Sequence, residues 1–221
     1  MDTCRSSHSQ RKSTRGTPAP HLESSPDSSP VPLSPLGRAS SSARRTSQAQ
    51  PSSLVLLNTG DGKGKSTAAL GVVLRALAQG WSVCVVQFVK SSAWTTGEER
   101  ICESLGVTWV KGGSGFTWEA NSSDDPRACA RAAWDLAAYV LDRGEYQLVV
   151  LDELTLPLAF GWLDTDSVVD AIRARQAGVN VVITGRRAPQ ELVDLADVVT
   201  EMVKVRHPFD SGILARAGID Y

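Results

Sequence analysis

One uninterrupted run, Asn58-Thr59-Gly60-Asp61-Gly62-Lys63-Gly64-Lys65-Ser66-Thr67, carries most of the recognisable chemistry in this chain. Gly60, Gly62 and Gly64 let the backbone fold tightly enough for successive N–H groups to converge on phosphate oxygens. A helix starting at the end of the run would add the positive end of its dipole. Lys65 supplies a point charge, and the Ser66 hydroxyl is suited to ligate Mg²⁺. The run is therefore expected to bind the phosphates of a nucleotide, with a bare glycine-rich turn as the bland alternative. It departs from G-x-x-x-x-G-K-[ST] at one position, where Thr59 stands in place of the first glycine. The loop is thus a variant, expected to hold its triphosphate differently from an ordinary hydrolase.

A second feature is Asp152-Glu153, which follows the apolar run Leu148-Val149-Val150-Leu151. Carboxylates at the end of a buried strand can reach a loop-bound Mg²⁺ directly or through water. Alone, such a pair is often a helix cap or a solvated turn; together with the loop, the metal reading is favoured.

The elements that must position these groups are legible as alternating patterns. Leu54-Val55-Leu56-Leu57, Val83-Cys84-Val85-Val86, Val107-Thr108-Trp109-Val110, Leu148-Val149-Val150-Leu151, Val179 to Thr184 and Val198 to Val205 read as strands. Ser66 to Gln79, Glu98 to Leu105, Arg127 to Leu141, Thr165 to Arg175 and Gln190 to Leu195 read as helices. Continuous apolar strands alternating with helices predict an α/β fold with a mostly parallel sheet covered by helices on both faces. Ligands then belong at the carboxyl ends of the strands.

Residues 1–53 differ in texture, being rich in Ser, Pro, Arg and Thr with almost no large apolar side chains. Such a segment buries too little apolar surface to offset the entropy of ordering it, so a disordered tail is expected, leaving residues 54–221 as the folded domain. The tail shares an Arg- and Ser-rich composition with organellar transit peptides but lacks their apolar face. The formal net charge of the 221 residues is −1, which argues against a general nucleic-acid binder. The four cysteines, Cys4, Cys84, Cys102 and Cys129, form no C-x-x-C pair. They are read as reduced thiols of a cytoplasmic protein, the last three in or near the core. No apolar stretch approaches the roughly 20 residues needed to cross a bilayer.

Taken together, the motifs resemble one family, the ATP:corrinoid adenosyltransferases of the cob(I)alamin type. The resemblance rests on Gly60 to Ser66, Val86-Gln87-Phe88-Val89-Lys90, Gly115-Phe116-Thr117-Trp118-Glu119, Leu151-Asp152-Glu153-Leu154, Thr184-Gly185-Arg186 and Ala196-Asp197-Val198-Val199-Thr200-Glu201. It extends through His207-Pro208-Phe209-Asp210-Ser211-Gly212 to Gly218-Ile219-Asp220-Tyr221. It implies a P-loop NTPase (RecA-like) fold in which ATP lies with reversed polarity, its ribose carbon 5′ turned toward the corrinoid. Cobalt(I) of the corrinoid would attack that carbon and expel triphosphate. By the same resemblance Phe116 and Trp118 would pack beside the corrinoid and leave its cobalt four-coordinate. Lys65, Arg186 and a Mg²⁺ held by Ser66, Glu153 and Asp152 would stabilise the departing triphosphate. A homodimer and a flavoprotein electron donor are also implied.

Asp61 stands where the family commonly has asparagine, and Ser66 where it has threonine; the second exchange keeps the hydroxyl. His207 is read as structural or substrate-adjacent rather than as a cobalt ligand, and Trp81, Trp94, Trp109, Trp134 and Trp162 as packing residues. An ordinary P-loop ATPase or phosphotransferase, and a non-catalytic ATP-dependent switch, are the competing expectations.

Overall fold

A computed structural model describes residues 53–88, 95–112 and 125–220. Residues 1–52 of the expected tail, Trp94, Phe116 and Trp118 lie outside the described residues. Six strands, β1 (Val55–Thr59), β2 (Val83–Gln87), β3 (Thr108–Lys111), β4 (Leu148–Asp152), β5 (Asn180–Thr184) and β6 (Val198–Glu201), form one sheet in the order β3-β2-β4-β5-β1-β6. Every neighbouring pair is parallel. The helices are α1 (Lys65–Ala78), α2 (Gly97–Ser104), α3 (Pro126–Arg143), α4 (Thr155–Ala159), α5 (Thr165–Arg173) and α6 (Gln190–Leu195). A 3₁₀ turn, Pro208–Ser211, follows β6.

Alternation along the strands explains why both faces are covered. Val55 and Leu57, Cys84 and Val86, Val149 and Leu151, and Val181 and Ile183 point to one face, where Ala133, Ala137, Val168, Ile172 and Leu192 of α3, α5 and α6 bury them. Val83 and Val85, Leu148 and Val150, and Val182 point to the other, under Ala69, Val73 and Ala76 of α1 and Cys102 of α2. Fully burying one such valine or leucine contributes about 1.5–3 kcal/mol relative to exposure, so the two apolar layers hold the sheet, and the cysteines among the described residues are all free. Burial pushes the Cys84 thiol up to about 12 and raises Cys102, as expected for inert core cysteines.

Helix boundaries follow local chemistry. α2 opens on a capping box in which Thr96 Oγ1 accepts from Glu99 N while the Glu99 carboxylate accepts from Thr96 N. Glu99 is in turn paired with Lys111 of β3 at 2.6 Å, a nearly buried contact that fixes α2 over the sheet. Asp125 and Asp164 cap α3 and α5, and Gly144 ends α3 in the left-handed region (φ 66°).

Three elements differ from the sequence reading. α4 was not expected, because its five residues follow β4 at once and are too short to show a helical period. The turn Pro208–Ser211 was likewise unforeseen. β6 ends at Glu201 rather than Val205: Met202 N–H still donates to Thr59 O at the end of β1 at 2.8 Å, but Met202 O turns to the loop after β1 and accepts from Gly62 N at 2.6 Å. Trp81 is 39% exposed and so is only partly a packing residue, whereas Trp109 and Trp134 pack against the core. Trp162 stacks on Phe160 with centroids 4.9 Å apart.

Candidate active site

β1, β4 and β5 deliver the chemistry-bearing residues to one end of the sheet. The loop from Gly60 to Gly64 leaves β1 and enters α1 through Gly64, which adopts φ 111° and offers α1 no side-chain cap. The longer helices α2, α3 and α5 all carry side-chain caps. The first N–H groups of α1 are therefore left for an external acceptor, and the helix dipole favours an anion there.

The glycines of the loop are required by packing as well as by any ligand. A Cβ on Gly60, whose φ is 94°, or on Gly62 would come within 2.6 Å of Met202 O. Gly62 N–H is spent on that same carbonyl, so it does not join the phosphate-facing set expected from sequence. Thr59, the residue in place of the first glycine, accepts a long hydrogen bond from Ala188 N at 3.4 Å and ties the loop to the segment after β5.

Lys65 is buried and folds its ammonium back onto the loop, donating to Gly62 O at 2.6 Å. Burial, and then the nearby Arg186 guanidinium, push its pKa down, while Glu153 and Asp61 act in the opposite sense. The structure thus brings Arg186, Glu153 and Asp61 within electrostatic reach of Lys65. Arg186 is held by its backbone: Thr155 of α4 donates to Arg186 O at 2.6 Å. Gly185, with φ 141°, leaves room for that contact, since a Cβ there would run into the Thr155 side chain.

Asp152 is nearly buried, and both its oxygens are engaged. Thr184 Oγ1 donates to one at 2.7 Å and Gln87 Nε2 to the other at 2.8 Å. Glu153, the next residue, takes the left-handed conformation (φ 61°), uncommon for a residue with a side chain, and donates its N–H to Thr184 Oγ1 at 2.9 Å. One threonine therefore orients both acids. Asp152 and Ser66 line the same small cavity.

Lys63 and Asp61 are exposed on the loop. Lys63 is ion-paired with Asp220, which also accepts from Arg216 N at 2.7 Å. Those two hydrogen bonds, Lys63 first, hold the Asp220 carboxyl below its usual range. His207 accepts from Phe209 N through Nδ1 at 3.2 Å and caps the 3₁₀ turn, a contact in keeping with the structural one of its two expected roles.

Sequence reasoning missed Thr155, Thr184, Gln87, Met202 and Asp220 as supports of the site. Thr184 and Gln87 lay within quoted motifs, yet nothing local marks a strand-end hydroxyl or amide as the partner of a carboxylate on another strand.

Residues 52–221 match the family model described as ATP:corrinoid adenosyltransferase BtuR/CobO/CobP. The chain is 40% identical over 178 residues to the corrinoid adenosyltransferase CobA of Salmonella typhimurium, covering 80% of this chain and 90% of that one. It is 44% identical over 170 residues to the corrinoid adenosyltransferase of Pseudomonas aeruginosa, covering 76% of this chain and 83% of its relative. Among solved structures it is similar to the flagellar accessory protein FlaH from Methanocaldococcus jannaschii, at 12% identity and TM-score 0.45 over 68% of this chain and 71% of the other.

Proposed function

Because the chain belongs to the ATP:corrinoid adenosyltransferase family, we propose that it transfers the 5′-deoxyadenosyl group of ATP to the cobalt(I) of a corrinoid and releases triphosphate. The observation that carries this reading is the uncapped amino end of α1, which opens on the buried Lys65, with Arg186 within electrostatic reach of that lysine. This is a preorganised cationic site suited to the charge that develops on a departing triphosphate. The corrinoid metal supplies the nucleophile, so the protein's work is to orient carbon 5′ and to stabilise the leaving group. No serine, cysteine or general base is needed for the central step.

Ser66, Asp152 and Glu153 offer a hydroxyl and two carboxylates, hard oxygen donors suited to Mg²⁺. These residues would hold the cation that accompanies ATP. When bound, it would neutralise charge on the triphosphate. Gly60, Gly64, Thr67 and the loop backbone would position the phosphates, with Asn58 supporting the first turn of α1 from beneath through its contact with Lys65 O at 3.4 Å.

Phe116 and Trp118 are assigned the corrinoid contact on the strength of the family motif. Trp118→Ala and Phe116→Ala are expected to slow formation of four-coordinate reduced cobalt about tenfold or more while changing ATP affinity little. Spectroscopy of the bound corrinoid and calorimetry with ATP read the two effects separately, and equal losses in both would count against the aromatic role.

A homodimer, a flavoprotein electron donor and a cytoplasmic location complete the proposal. The exposed Val198 and Val199 on the edge strand β6 are apolar surface of the kind a contact between copies would cover. Among the described residues no helix is long and apolar enough to cross a membrane.

The direct test mixes the protein with ATP, Mg²⁺ and chemically reduced cobalamin and follows the corrinoid absorption spectrum. Adenosylcobalamin together with intact triphosphate is the expected product pair. Inorganic phosphate with an unchanged spectrum would replace this reading with that of an ATPase.

A further inference from the structure

Behind the Ser66 and Asp152 pair lies a cavity of about 10 Å³, walled by Ala69, Leu70, Val85 and Val150. Gln87, Glu98 and Trp109 also line it, and each has one buried polar atom without a hydrogen-bond partner: Gln87 Oε1, Glu98 Oε2 and Trp109 Nε1. Three such atoms on residues that line one small space are costly unless something satisfies them together. The volume is that of a single water, for which about 10–15 Å³ is the lower bound.

The valence of the three atoms selects the occupant. Two are acceptors and one is an N–H donor. A cation would suit Gln87 Oε1 and Glu98 Oε2 but would be repelled by the indole N–H of Trp109. A water donates two hydrogen bonds and accepts another, matching all three. The Gln87 amide is not free to reverse, because its Nε2 donates to Asp152 Oδ2 at 2.8 Å and a flipped oxygen would face that carboxylate.

We propose that this cavity is a single-water site, in which one molecule joins Glu98 and Trp109 to the Gln87 amide and thereby makes Gln87 a positioning residue for Asp152. The link runs from α2 and β3 through β2 to the acid at the end of β4. Its consequence for the cation rests on the assignment of Asp152 made under the proposed function; the water site itself does not.

A crystal structure of the full chain at a resolution that shows ordered water tests the site directly. The expected result is one peak within hydrogen-bonding distance of all three atoms. A dry cavity, a reversed Gln87 amide, or an anomalous signal there in crystals soaked with Mn²⁺ overturns it, the last by showing an ion instead. Calorimetry tests the positioning role in Trp109→Phe and Gln87→Met, with ATP in the presence of Mg²⁺ and in the presence of a chelator. Trp109→Phe loses one hydrogen bond of the link and Gln87→Met two, so Mg²⁺-dependent ATP binding is expected to weaken about fivefold in the first and by at least as much in the second, with metal-free binding unchanged. Equal losses in both conditions, or no loss, overturn the role of Gln87. Should Trp109→Phe fail to fold, the Gln87 variant and the density of the unaltered protein still decide. If the unaltered protein does not bind ATP at all, the nucleotide assignment fails while the density continues to judge the water.

Discussion

Lys65→Ala is expected to lower kcat/KM for ATP by about a hundred- to thousandfold, the usual cost of removing one preorganised charge from a site of developing negative charge. The side chain is already buried against the loop, donating to Gly62 O, with Arg186 close enough to depress its pKa. Triphosphate would give that ammonium a better partner than a backbone carbonyl, so the variant loses the contact when charge on the leaving group is greatest. Steady-state kinetics with reduced cobalamin in excess, at varied ATP, measure the effect. Turnover within a few-fold of the unaltered enzyme would contradict the loop assignment.

Gly60→Ala is expected to destabilise the fold by about 3 kcal/mol. It combines about 1–2 kcal/mol for a side chain in the left-handed region with about 1–3 kcal/mol for overpacking. The new methyl would meet Met202 O at 2.6 Å and Met202 N at 2.8 Å, both backbone atoms of a segment held by hydrogen bonds to the same loop. Neither neighbour can swing aside as a flexible side chain would. Gly71→Ala in α1 is the matched control, because nothing lies within 4 Å of its added Cβ. There the exchange should stabilise by about 0.5–1 kcal/mol through helix propensity alone. Urea denaturation of the two variants measures both signs; equal shifts in the same direction would mean that Met202 does not press on the loop.

The core architecture was legible because buried parallel strands write themselves as apolar runs. β1, β2, β4 and β5 fall within a residue of their expected limits at most ends. Lys65, Ser66, Asp152 and Glu153 were legible for a different reason, since each belongs to a short run whose neighbours in sequence are its neighbours in space. What stayed hidden depends on contacts between distant segments. Thr155 sits in a helix of five residues interrupted by Pro157, which has no period to read, yet it fixes the carbonyl of Arg186. Met202 reads as the middle of a strand until the loop takes its C=O through Gly62 N. Gln87 sits in a plain strand sequence, and only the pairing of β2 with β4 reveals that it faces Asp152.

The sheet order separates β1 in time from everything that flanks it. Its partners are β5 on one edge and β6 on the other, and the side chain that receives Val55 N–H belongs to Asp197. A ribosome making this chain thus extrudes β1 as an apolar strand with both edges bare, and keeps it so until Val181 and Val198 have followed. Throughout that interval the nascent segment can neither close its ladder nor shape its anion cradle, and it offers open backbone to any other unfinished chain nearby.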